Sequence, residues 1–332
     1  MTYVSKKRKK PHQLVLWDIL KARTDIESTD MQSYLRIEKG YEGECLFDQR
    51  LKQLPEQFLI LNDLHFITYS QATLQIDSLV ITGNDILLFE VKHYEGDFYI
   101  ENDHWYAFDE QKITNPLHQL KRSESLLSKM LRNEQFPFHV KPYLVFTHPE
   151  FTLFHAPRDE PILLPNQLPR FFRYLQHSTK QLHPSAYRLA KHLLSLTKDT
   201  SPYQPTNTYD YDDLKKGVFC QTCSSPLAYQ TRYFLHCPFC QTTNPVDIAI
   251  LQAVKELRTL FPEEKITTLK IHDWTGKIVS KPRIRQILQN HFIRQGHGKY
   301  SYYMEKKITF NKELNTVLSS NIYGVLPEDD DM

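Results

Sequence analysis

Two carboxylates and one ammonium group fall within a short stretch of this chain. Gln75-Ile76-Asp77-Ser78-Leu79 is followed by Phe89-Glu90-Val91-Lys92. In an extended strand, side chains two residues apart share a face, so Glu90 and Lys92 point one way and Phe89 and Val91 the other. Gly83-Asn84-Asp85 between the two runs is a hairpin signal, so Asp77 rides on a strand paired with that of Glu90. Hard carboxylate oxygens bind Mg²⁺ or Mn²⁺. Such an ion activates water and polarises a phosphoryl oxygen. A lysine beside it orients that water or offsets charge growing on the phosphorane. Glu44, after Gly43, is a third carboxylate or a water-orienting base, and Gln75 is a supporting neighbour. The alternative for Glu90 and Lys92 is a solvated strand face. The surrounding residues (Leu79, Val80, Ile81, Ile86, Leu87, Leu88) argue against it, because ionisable groups that end apolar strands are not ordinary surface.

A second constellation is Cys220-x-x-Cys223 and Cys237-x-x-Cys240. Two such pairs at this spacing describe a closed four-thiolate site suited to structural Zn²⁺, with strand character between them as in a zinc ribbon. Four paired cysteines with Cys45 left over fit a reducing compartment, and a cytoplasmic location is expected.

The elements that would position these groups follow from periodicity. Residues 41–54 predict a helix with Leu46, Phe47, Leu51 and Leu54 on its apolar face. Residues 58–61, 73–82, 86–93 and 143–147 predict strands, and 97–101 with 105–109 a second hairpin. An amphipathic helix over 117–131 follows Asn115-Pro116, and further helices are expected at 168–178 and 184–197. This divides the chain into a solvated basic arm (1–30), an α/β domain (31–198), a polar linker (199–215), the cysteine module (216–245), a last unit (246–326) and an acidic tail (327–332). In the last unit, residues 246–260 and a helix opened by Ser280 and Pro282 precede Gly296 and Gly298, which end it. Strands at 299–304 and 306–310 then form a hairpin. From 280 to 312, eight Lys/Arg face one acid, Glu305. Lys281, Arg283, Arg285, Arg294 and Lys299 are therefore candidate nucleic-acid contacts of a winged helix, the alternative being a small α/β unit with solvated charges.

Composition narrows the rest. The 332 residues carry a net charge of only +2, so affinity for nucleic acid must come from local patches. Apolar runs such as 58–61 and 86–89 are far short of a membrane span, and no membrane partner is expected. No nucleophile elbow points to a serine hydrolase.

Gly40-Tyr-Glu-Gly43-Glu44, Ile76-Asp77, Phe89-Glu90-Val91-Lys92, Gly96, Trp105 and Asn115-Pro116-x-x-Gln119, in this order, resemble the nuclease-related domain (NERD) family of the PD-(D/E)XK nuclease superfamily. The resemblance covers about residues 35–150. It implies Asp77 and Glu90 as ligands of Mg²⁺ or Mn²⁺, Lys92 as the catalytic lysine and Glu44 as the helix carboxylate. Asn115 and Gln119 match recurring family positions, although Asn115 also suits a helix cap. No Pro precedes Asp77, a departure common in the superfamily.

The expectation is an α/β protein. Its PD-(D/E)XK-like mixed sheet is flanked by helices and followed by a zinc ribbon and a small α+β unit. Its expected activity is metal-dependent hydrolysis of phosphodiester bonds, in DNA before RNA. The rivals are a catalytically silent nucleic-acid-binding protein on the same fold and a protein-interaction scaffold.

Overall fold

A computed structural model of the chain describes residues 6–25, 28–68, 71–177, 181–198 and 209–306. The acidic tail, residues 307–310 of the strand expected at 306–310 and most of the polar linker lie outside them. The chain forms two compact units. The first holds residues up to 18 and 25–208, the second residues 19–24 and everything from 209 onward.

The first unit begins with an extended arm and α1 (His12–Arg23), whose end belongs to the second unit. There follow α2 (Ser28–Leu51), β1 (Leu59–Ile67), β2 (Thr73–Thr82), β3 (Asp85–Lys92), β4 (Gly96–Glu101), β5 (His104–Ala107), β6 (Lys112–Ile113), α3 (Pro116–Asn133), β7 (His139–Phe146), β8 (Phe151–Phe154), β9 (Ile162–Leu163), α4 (Leu168–Gln176) and α5 (Ala186–Leu196). The main sheet runs β1-β2-β3-β7-β9, antiparallel as far as β3 and parallel beyond it. Both faces are covered, which explains why β2 and β3 read as nearly continuous apolar runs. Phe47 and Leu51 of α2 and Phe172 of α4 pack with Val80, Phe89 and Val91 on one face. Leu120 and Leu127 of α3 and Leu189 and Leu193 of α5 pack with Leu79, Leu88 and Phe146 on the other. A smaller sheet, β6-β5-β4-β8, adds Trp105 to this second core.

Two sequence expectations change here. The helix carrying Glu44 starts at Ser28 rather than near residue 41, because Gly40 and Gly43 lie inside it and do not end it. The basic arm is not a solvated tail. Lys6 pairs in parallel with Leu61 at the edge of β1, and the Lys6 and Arg8 side chains turn inward while Lys7 and Lys9 face water.

The second unit contains β10 (Ala228–Tyr229), β11 (Phe234–His236), β12 (Thr243–Pro245), α6 (Val246–Leu260), α7 (Thr268–Trp274), α8 (Lys281–His291), β13 (Phe292–Gln295) and β14 (Tyr302–Glu305). The first three strands form an antiparallel sheet around the cysteine pairs. Arg23, fully buried, belongs to this unit's core. It donates to Glu256 Oε2 at 2.7 Å and lies 3.7 Å over the Trp274 ring. The C-terminal hairpin differs from the expected one. Its first strand is β13, before the glycines, because α8 stops at His291 and Phe292 is already extended (φ −124°, ψ 164°). Gly296 and Gly298 (φ 73° and 57°) then form the turn.

Candidate active site

The site forms where β2 and β3 separate. Their ladder ends at Ser78↔Phe89, so the next amide of β3 needs another acceptor. Asp77 supplies it: Oδ2 accepts from the Val91 N–H at 2.8 Å. On the other side of Asp77 the β1–β2 register is also interrupted, with Asp63 (φ 56°) unpaired between Asn62↔Ser78 and Leu64↔Ile76. Asp77 is thus fixed by a local break in two ladders.

Glu90, nearly fully buried, accepts from Lys92 Nζ through Oε1 at 2.8 Å. The same Nζ donates to Gln119 Oε1 of α3 at 3.1 Å. Asp77 Oδ1 and Glu90 Oε2 take no hydrogen bond among the described residues. Burial, and then the charge of Asp77, pushes the Glu90 carboxyl up to about 7, against the opposing pull of Lys92. Burial raises Asp77 as well. For Lys92 burial works the other way, but Glu90 outweighs it and the ammonium is held above its ordinary range. Lys92 therefore stands as a fixed cation rather than a proton acceptor.

Glu44 reaches this region because α2 passes very close to the end of β3. A Cβ on Gly43 would lie 2.3 Å from His93 Cβ and 2.9 Å from Thr147 Oγ1. Burial, and next Asp77, pushes the Glu44 carboxyl up to about 8, with Arg8 opposing. The Arg8 guanidinium, 4% exposed, donates from Nη1 to Glu44 Oε2 at 2.6 Å and from Nε to Asp48 Oδ2 at 3.1 Å. Its Nη2 donates to the Asp77 carbonyl at 2.6 Å. Sequence reasoning missed Arg8 and Asp48. The signal for Asp48 was its place four residues after Glu44 on one helix face. For Arg8 it was the alternation of Lys6 and Arg8 in a strand-like arm.

The other expected residues divide. Asn115 caps α3, its Oδ1 accepting from the Leu117 N–H at 2.9 Å. Gln75 is exposed, and its side chain makes no hydrogen bond among the described residues. In the second unit Lys281, Arg285 and Arg294 are exposed, whereas Arg283 donates to Asp247 Oδ1 at 2.5 Å. The Lys299 side chain lies outside the described residues.

Cys220, Cys223, Cys237 and Cys240 bring their sulfurs within 4.8 Å of one another and could hold a metal ion. Among the described residues no other group of three or more such ligands converges so closely. Burial raises the Cys220 thiol, but hydrogen bonds from Thr242 and from the Thr222 and Cys223 amides bring it down to about 6. No described helix is long and apolar enough to cross a membrane.

No curated protein and no solved structure matches the chain. A family model described as "Nuclease-related domain" matches residues 39–147, about a third of the 332 residues and the part that carries Glu44, Asp77, Glu90, Lys92 and Gln119. The chain carries a nuclease-related (NERD) domain, followed by a four-cysteine cluster of zinc-ribbon pattern.

Proposed function

We propose that the NERD domain hydrolyses phosphodiester bonds of nucleic acid, with DNA preferred to RNA. The observation that carries this reading is a pair of buried acidic residues, Asp77 and Glu90, each with one carboxylate oxygen, Oδ1 and Oε2, that takes no hydrogen bond among the described residues, beside a lysine held charged. Two acids whose ionisation is resisted by burial, Glu90 also by the charge of Asp77, suit a divalent cation. Mg²⁺ or Mn²⁺ held by Asp77 and Glu90 would polarise the phosphoryl oxygen and acidify the attacking water. Lys92 Nζ, fixed by Glu90 and Gln119, is positioned to counter charge that develops on the phosphoryl oxygens. Glu44 would accept a proton from the attacking water once Arg8 releases it.

The four thiolates support a structural zinc site. A tetrahedral ion with Zn–S bonds of about 2.3 Å separates its sulfurs by about 3.8 Å, and Cys220–Cys240 and Cys223–Cys237 lie 3.6 and 3.4 Å apart. Reduced thiols at this cluster favour a cytoplasmic setting. DNA is the favoured polymer because a basic helix followed by a two-stranded hairpin suits a B-form groove.

The grip of Arg8 on Glu44 favours one rival, a nucleic-acid-binding protein that no longer cuts. Cleavage of single- and double-stranded DNA and RNA by the purified chain, with Mg²⁺, with Mn²⁺ or with neither, separates the two. Metal-dependent cutting that Glu90→Ala and Lys92→Ala each lower by at least about 100-fold is expected for hydrolysis of this type. Cutting that both variants retain, or binding with no turnover in any metal, would overturn it.

A further inference from the structure

The second unit presents a helix whose outward face is built for hydrogen bonding. Ile284, Ile287 and Leu288 of α8 are buried. Lys281, Arg285 and Gln289 therefore form one exposed row at i, i+4 and i+8, with Gln286 and Asn290 beside it. Arg285 and Gln289 make no side-chain hydrogen bond among the described residues. Gln286 is steadied by Arg283, which is itself held by Asp247. A helix face that is merely solvated usually mixes acids with bases, yet no Asp or Glu occurs from residue 274 to 304, where six Lys/Arg do.

The surrounding architecture offers this face outward. Helices α6, α7 and α8 pack on one another. The Tyr303 N–H of β14 bonds the Ile266 carbonyl at 2.8 Å, a single antiparallel bridge that ties the two-stranded β13–β14 sheet to the segment before α7. The β13–β14 hairpin starts directly at the end of α8, carries exposed Arg294 and turns through Gly296 and Gly298. The order helix, single bridge at Ile266, helix, helix, hairpin follows that of a winged helix, with α8 in the place of the recognition helix.

We propose that α8 is a base-reading helix that enters the major groove of duplex DNA and selects the sequence at which the chain settles. Arg pairs in two-pronged fashion with guanine O6 and N7, and Gln or Asn with adenine N6 and N7. Those are the side chains on the row. An 11-residue helix is about 16 Å long and about 10–12 Å across, which fits a groove about 12 Å wide. The deep, narrow major groove of A-form RNA does not admit it. Arg294 and Lys281 supply phosphate contacts, which hold register without reading sequence. This inference rests on nucleic acid being the partner and not on cleavage, so the two can fail separately.

The test is selection from random-sequence DNA duplexes by the full chain with zinc retained and no other divalent ion added. A short enriched motif is expected, with weaker binding to single strands and to duplex RNA. The double variant Gln289→Ala/Asn290→Ala should flatten preference at one or two base positions, each by about 5- to 150-fold. Arg294→Ala should weaken all duplexes alike and lower the slope of log affinity on log salt by about 0.9. Unchanged melting and zinc content would establish that these exposed-site variants fold. Absence of any motif, a motif unchanged in the double variant, or equal affinity for single strands would each overturn the proposal. A chain that selects a motif but never cuts would leave it standing and sink the nuclease reading. A chain that cuts without selection would do the reverse.

Discussion

Glu44, Asp48, Asp77 and Glu90 place four carboxylates in the interior of a domain, and two cations, Arg8 and Lys92, answer them. The balance is incomplete, since burial and mutual repulsion still raise Glu90 to about 7 and Glu44 to about 8. The folded protein then binds more protons than the unfolded chain between about pH 4.5 and 8. Stability from these groups is present in full below the unfolded value and is lost as pH rises through the folded values. Without divalent ion, thermal or urea unfolding should therefore show lower stability at pH 8 than at pH 5. Arg8→Ala should deepen the loss, because removing one partner of a buried pair costs about 3–5 kcal/mol when the other stays charged. At pH 5, where Glu44 can be protonated, the same substitution should cost less. An Arg8→Ala penalty of equal size at both pH values would refute this account of the pocket.

The elements explain which parts of the site could be read from the sequence. Glu90 and Lys92 sit two apart on one strand and Asp77 on its hairpin partner, so strand periodicity and one turn signal suffice to bring them together. Gln119 joins Lys92 only because α3 folds back over the sheet, which spacing does not reveal. Arg8 arrives through an edge pairing of the arm with β1. That contact spans about seventy residues from Asp77, and no local pattern encodes its depth. In the C-terminal hairpin the residues were recognised but their register was not, because glycines that look like a helix stop are the turn itself. Gly43 shows how a single position sets an element. Its missing side chain lets α2 approach β3 and β7, and with them Glu44 approach Asp77. Gly43→Ala should lift α2 by forcing the added methyl against His93, an overpacking cost of about 1–3 kcal/mol. Cleavage should fall further than stability does, since Glu44 moves with the helix. A variant whose melting point drops while its activity per folded molecule is unchanged would show that Glu44 does not need this approach.

At the scale of the whole molecule the two units rely on different sources of stability. The first buries a sheet between two helical layers, with Leu59, Leu79, Phe89, Leu120 and Leu144 among its core residues. The ribbon of the second has short strands of two or three residues around four cysteines, and only Leu235 is fully buried in its central strand. Strands this short cannot hold a sheet on hydrogen bonds alone. A structural zinc can, because apparent binding energies of roughly 10–16 kcal/mol become folding energy where no site exists in the unfolded chain. Zinc should then be found at about one ion per chain and be lost in Cys237→Ser. Removing it should melt the ribbon and loosen α6, since the Val246 N–H bonds the Tyr233 carbonyl of the ribbon. Amide hydrogen exchange after chelation should show protection lost across 218–250 but kept in β2, β3 and β7, which derive theirs from the first core. Loss of protection in both units together would mean that the chain folds as one cooperative body, and that the ribbon contributes to the stability of the nuclease-related domain.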